Sequence, residues 1–110
     1  MSVEELRKVT IERALAGPGK AAPEQRRAAF DNQGLAAAVR ELNDKVTKNA
    51  HKVTDEDVAA AKVAGITEDE IFELAVCASL GQATRQLEAA LTALDAAVGE
   101  AAEGRERKQA

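Results

Sequence analysis

The sequence has no tryptophan and no tyrosine, and only two phenylalanines in 110 residues. Residues that favour strands are scarce throughout, which excludes an all-β domain. A single cysteine cannot close an internal disulfide. No run approaches the roughly 18 consecutive apolar residues of a membrane span. The start, Met1-Ser2-Val3-Glu4-Glu5, is too acidic and polar for a secretory signal. A cytoplasmic protein with no membrane partner is therefore expected. Positive charge is short as well: 15 Lys and Arg stand against 19 Asp and Glu, a net charge of −4. That balance argues against nonspecific nucleic-acid binding.

What the chain has in abundance is alanine, which supplies 25 of its 50 apolar residues. With Glu, Arg, Lys, Gln and Leu it makes a composition of strong helix formers, so the fold class is all-α. The length allows one small domain and no second core. Alanine side chains bury little area at about 25 cal/mol per Å², so burial against a second copy would add what one copy lacks. Composition thus points to an oligomer. The charge is also uneven. Residues 1–52 carry ten basic and seven acidic side chains, or +3, and residues 53–110 carry five and twelve, or −7. The two halves either face each other, within or between chains, or are two solvated surfaces.

Helix signals divide the chain. Ser2 and Glu5 have capping-box spacing, followed by Leu6, Val9, Ile11 and Leu15, and Gly17-Pro18-Gly19-Lys20 ends that helix. Pro23 suits the first position of a second helix running to Asp31, where Asn32-Gln33-Gly34 breaks or kinks it. Leu35, Val39, Leu42 and Val46 form one face of a third. Thr54 caps a fourth, with Asp55, Glu56 and Asp57 in its first turn and Gly65 as its left-handed stop. Thr67-Glu68-Asp69-Glu70 opens the longest helix, residues 68–98. Its first part, Ile71 to Gly81, is apolar nearly all round, with Ala75, Ala78, Ser79 and Gly81 small enough for close helix contact. Its second part narrows to Leu87, Leu91, Leu94 and Val98. The expected organisation is an N-terminal helix and Gly-Pro loop over 1–22, a helical domain over 23–98, and a charged, frayed tail over 99–110.

Few residues carry chemistry. Gly17-Pro18-Gly19-Lys20 lacks the spacing and the preceding strand of a phosphate loop. Arg26-Arg27 is too short for a nucleic-acid patch. His51, the sole histidine, is either a general base near neutral pH or a solvated junction residue. Cys77 falls in the most apolar stretch, where a thiol is packed and inert. Helix starts account for the carboxylates at 55–57 and 68–70. No metal or cofactor is expected.

The stretch Val53-Thr54-Asp55-Glu56-Asp57-Val58-Ala59-Ala60-Ala61-Lys62-Val63-Ala64-Gly65-Ile66-Thr67-Glu68-Asp69-Glu70-Ile71-Phe72-Glu73-Leu74 resembles the second half of the carboxymuconolactone decarboxylase and alkylhydroperoxidase D-like family. The continuation Ala83-Thr84-Arg85-Gln86-Leu87-Glu88-Ala89-Ala90-Leu91 fits as well, and looser similarity reaches back to Arg26. The resemblance implies a small all-α domain of about five helices with a long C-terminal helix, forming dimers or higher oligomers, hexamers among them. In the family's peroxidase members a C-x-x-C pair and a following histidine precede the glycine that matches Gly65. Counted back without gaps, those positions are Ala50, Val53 and Asp57 here, so the redox site is missing. The family's helper glutamate lies near Glu41, but at a shorter spacing.

The expected function is therefore a homo-oligomeric binding or accessory protein of this kind without the thiol redox site. Phe72, Ala75, Ala78, Ser79 and Gly81 are its expected oligomer contacts. The alternatives are a decarboxylase- or lyase-type enzyme with an interface pocket, using His51 or Glu41 as proton carrier, and a purely structural interaction module.

Overall fold

The computed structural model describes residues 1–109, and all regular structure among them is helical. The helices are α1 (Val3–Ala16), α2 (Pro23–Asp31), α3 (Ala37–Asn49), α4 (Asp55–Val63) and α5 (Glu68–Gln109), with a 3-10 turn (Ala50–Lys52) between α3 and α4. The boundaries follow from capping chemistry. Ser2 Oγ accepts from Glu5 N at 3.1 Å, and Ser2 N donates back to Glu5 Oε2 at 3.3 Å. Thr54 with Asp57 and Thr67 with Glu70 close the same reciprocal box at the starts of α4 and α5. Pro23 opens α2, where the missing N–H has no helical partner to lose. Both α2 and α4 end by turning left-handed: Asn32 has φ 52° and Gly65 φ 96°. Gln33 N then donates to Ala28 O at 3.0 Å, and Ile66 N to Ala61 O at 3.1 Å, the bonds of a Schellman stop.

The core forms where α2 lies against α5. Ala29, Phe30, Leu74, Cys77 and Ala78 are buried there, with Leu35 and Val39 closing it from the α3 side. Leu35 precedes the first turn of α3, so its expected place on that helix face is taken from an extended lead-in. The approach of α2 depends on Gly81. A Cβ at that position would overlap the Phe30 carbonyl, which instead accepts a hydrogen bond from Arg85 Nη1 at 2.6 Å. Asn43, buried on α3, donates to Ala29 O at 3.3 Å and Asn32 Oδ1 at 3.0 Å, tying α3 to the end of α2. Helix α4 packs through Ala61 and is linked to α3 by the Lys45–Asp57 ion pair at 2.8 Å.

Two expectations about α5 are corrected. The small residues Ala78 and Gly81 do allow close helix approach, but the helix they admit is α2 of the same chain, so they are core residues and not a surface for a second copy. The helix also does not stop at Gly99. It runs 42 residues, about 63 Å, to Gln109, so the expected frayed tail is helical over 99–109; Ala110 lies outside the described residues. A mid-helix glycine costs only about 1 kcal/mol relative to alanine, and no proline follows to enforce the stop. The molecule is accordingly elongated, 68 × 31 × 21 Å, with a radius of gyration of 18.7 Å. A compact domain of this size would have about 13 Å. The excess is the distal half of α5, which projects past the other four helices.

Candidate functional site

Helix α1 is draped along α5 without burying any residue completely. It runs antiparallel to α5: Ala14 O accepts from the Cys77 thiol at 3.5 Å, while Val3 and Leu6 lie at the level of Thr84 and Leu87. Ile11, Ala14 and Leu15 of α1 pack toward the core beside Leu80, whereas Val3 and Leu6 stay exposed. Between the two helices lies a groove of about 380 Å³, walled by Val3, Leu6, Thr10, Ile11, Leu80, Ala83, Thr84 and Leu87. Its one charged wall residue is Arg7, paired with Glu4 at 2.5 Å. That pair lowers the Glu4 carboxyl below its usual value and raises the Arg7 guanidinium, with Glu88 adding to the latter. Beyond the end of α1 the same face of α5 continues in the open. Leu87 is 40% exposed, Leu91 47%, and Leu94 and Val98 57% each. Monomeric proteins rarely leave a contiguous apolar strip of this length uncovered.

A second cluster sits where α1, α2 and α5 meet. Arg26 is buried; its Nη1 donates to Gly17 O at 2.7 Å and Ala14 O at 3.3 Å, carbonyls at the end of α1, while its Nε has no partner. A cation at a helix C-terminus is favourably placed. Glu73 accepts from Ala21 N at 2.6 Å and Lys20 N at 2.7 Å, and these two bonds hold its carboxyl below the usual carboxylate range. Glu73 therefore pins the Gly-Pro loop, and its bond to Lys20 N occupies a donor that a phosphate would need. Burial pushes the Cys77 thiol up; the Arg26 charge opposes that shift and the Glu73 charge adds to it. The buried sulfur is a thiol near neutral pH, suited to packing and not to nucleophilic attack.

The residues expected to carry protons are elsewhere. His51 is exposed on the 3-10 turn, Glu41 is exposed on α3, and neither lines the cavities described above. At the three positions matched to the peroxidase redox site, Ala50 begins the 3-10 turn, Val53 is half-buried and Asp57 serves structure. The Asp57 carboxylate accepts from Lys45 Nζ and from Thr54 N, and both bonds lower its pKa. Of the expected oligomer contacts, Phe72 and Ser79 are exposed, Ala75 is half-buried against α3, and Ala78 and Gly81 are internal. No three His, Cys, Asp or Glu side chains among the described residues are grouped to hold a metal, and no described helix is long and apolar enough to cross a membrane.

Sequence reasoning passed over the structural roles of Arg26 and Glu73. The first had a signal: Arg26, Ala29 and Phe30 fall at i, i+3 and i+4, one face of α2, and all three are buried. The second was visible only as a lone carboxylate inside an apolar run. No protein-family model, curated protein or solved structure matches the chain.

Proposed function

We propose that the protein is a cytoplasmic, self-associating binding or accessory module, built like an alkylhydroperoxidase D-like domain but without thiol redox chemistry. One observation carries this reading: the α1–α5 groove opens into an uncovered apolar strip on α5, and both are lined mainly by aliphatic side chains with a single charged residue between them. Such a surface binds by burial. A reaction needs convergent polar groups; of those in the groove, Arg7 is paired with Glu4, and the Thr10 and Thr84 hydroxyls donate to carbonyls of their own helices. Ala50 and Val53 at the positions of the redox pair, and a Cys77 buried and protonated, support the non-redox reading. Static light scattering at micromolar concentration tests it. A mass of at least twice the 11.6 kDa of one chain is expected, and a mass of one chain would overturn self-association.

A further inference from the structure

From Leu80 to Ala101 the apolar face of α5 keeps one spacing. Leu80, Thr84, Leu87, Leu91, Leu94, Val98 and Ala101 follow one another at intervals of 4, 3, 4, 3, 4 and 3. The average of 3.5 is the period of a seam between two helices, not the 3.6 of a helix resting on a globular body. One flank of the seam is a second regular row: Ala83, Ala90, Ala97 and Gly104, seven residues apart, all small enough to let another backbone come close. The opposite flank carries Glu88 and Asp95. Among the described residues nothing covers this face beyond Leu87: Leu91, Leu94 and Val98 stay exposed.

We infer that a second copy of the chain covers it, α5 against α5 in antiparallel orientation about a two-fold axis between Thr92 and Ala93, and that the partner completes the α1–α5 groove. This rests on the self-association proposed above and adds its surface, direction and register. An antiparallel copy turns each a-type seam position onto a d-type one. About this axis Leu91 meets the partner's Leu94 and Leu87 meets the partner's Val98, so four large side chains meet four large side chains, and Thr84 meets the partner's Ala101. A shift of one heptad toward the C-terminus would instead set Leu87 against the partner's Arg105. In the matched register the partner's Val98 and Ala101 arrive beside Leu87 and Thr84, where Val3 and Leu6 leave the groove open.

Direction follows from shape. The other four helices crowd one end of α5, so a parallel pair would force two bodies into the same space, whereas an antiparallel pair places them at opposite ends. Residues 86–104 of the projecting arm carry Glu88, Asp95, Glu100 and Glu103 and no basic residue. Closing on the alanine flank leaves Glu88 and Asp95 in water.

Pairwise distances between spin labels decide this. Labels are placed one at a time at Thr92 and at Gln86, both on the outer surface of α5, in a chain with Cys77→Ala. In the antiparallel register the two copies of residue 92 lie level with each other, and the two copies of residue 86 are offset along the axis by about 20 Å. The expected result is a short separation at Thr92 and a clearly longer one at Gln86. Equal separations at both sites would mean a parallel pair and overturn the inference while leaving self-association intact. A dimer with no measurable coupling at either site would mean another contact surface, with the same consequence. A monomer would overturn both. Leu91→Asp should convert the dimer to a monomer with the far-ultraviolet signature of a helical protein preserved; an unaltered dimer would also overturn the inference.

Discussion

Cys77 illustrates how much a side chain's surroundings outweigh its intrinsic reactivity. It is 1% exposed, its sulfur faces the Ala14 carbonyl, and burial raises its pKa. Attack on a thiol reagent requires both access and a thiolate, and both are withheld. In native buffer a small aromatic disulfide should therefore label Cys77 slowly, and in denaturant at the rate of a free thiol. Fast native labelling would mean that α1 does not cover the α5 core as described. The nearby Arg26 shows the converse case. Its charge is buried, but two carbonyls at the end of α1 receive it, and the arrangement anchors α1 to α2.

Among the elements, α5 contains two glycines whose replacement should act in opposite directions. At Gly81 a methyl group would overlap the Phe30 carbonyl, which belongs to the rigid backbone of α2. The gain in helix propensity, about 1 kcal/mol, is smaller than the overpacking cost of about 3 kcal/mol or more, so Gly81→Ala should destabilise the protein. At Gly99 nothing lies within reach of an added methyl, and the position is off the apolar seam. There Gly99→Ala should stabilise by up to about 1 kcal/mol. Thermal unfolding of the two variants checks the contrast; equal shifts of one sign would refute it. The same two residues show what was legible in the sequence. The starts of α1, α4 and α5 were, because Ser2, Thr54 and Thr67 act on donors within three residues. The stops at Asn32 and Gly65 were too. Gly99 misled because a glycine ends a helix only when the chain has somewhere else to go, which is a property of the surroundings. Likewise the smallness of Ala78 and Gly81 was evident, but whether α2 or another copy fills the space is decided by a contact some fifty residues distant in sequence. The open strip was legible as the stripe Leu87, Leu91, Leu94 and Val98, of which only Leu87 also lines the groove; that α1 forms the groove's second wall is set by packing that no local pattern encodes.

At the scale of the whole molecule, the chain divides into a body and an arm with different sources of stability. Residues 68–85 of α5 are held by α1, α2 and α3, and their amides can open only when that core does. Over residues 88–101 the helix lies outside the buried core, and Leu91, Leu94 and Val98 are about half exposed. An isolated helix of this length is marginal in water even when rich in alanine, so on the pairing inferred above the arm would owe its protection to the second copy. Hydrogen exchange followed by mass spectrometry separates the two. In the native assembly, peptides from the body should exchange slowly, and peptides over 88–101 should be protected to an intermediate degree that grows with protein concentration, as binding linkage requires. In Leu91→Asp the body peptides should be unchanged and the 88–101 peptides should exchange nearly as fast as an unfolded chain. Protection of the arm that is independent of concentration and survives Leu91→Asp would mean that α5 is stable along its whole length by itself. Its apolar strip would then have to be explained without a second copy.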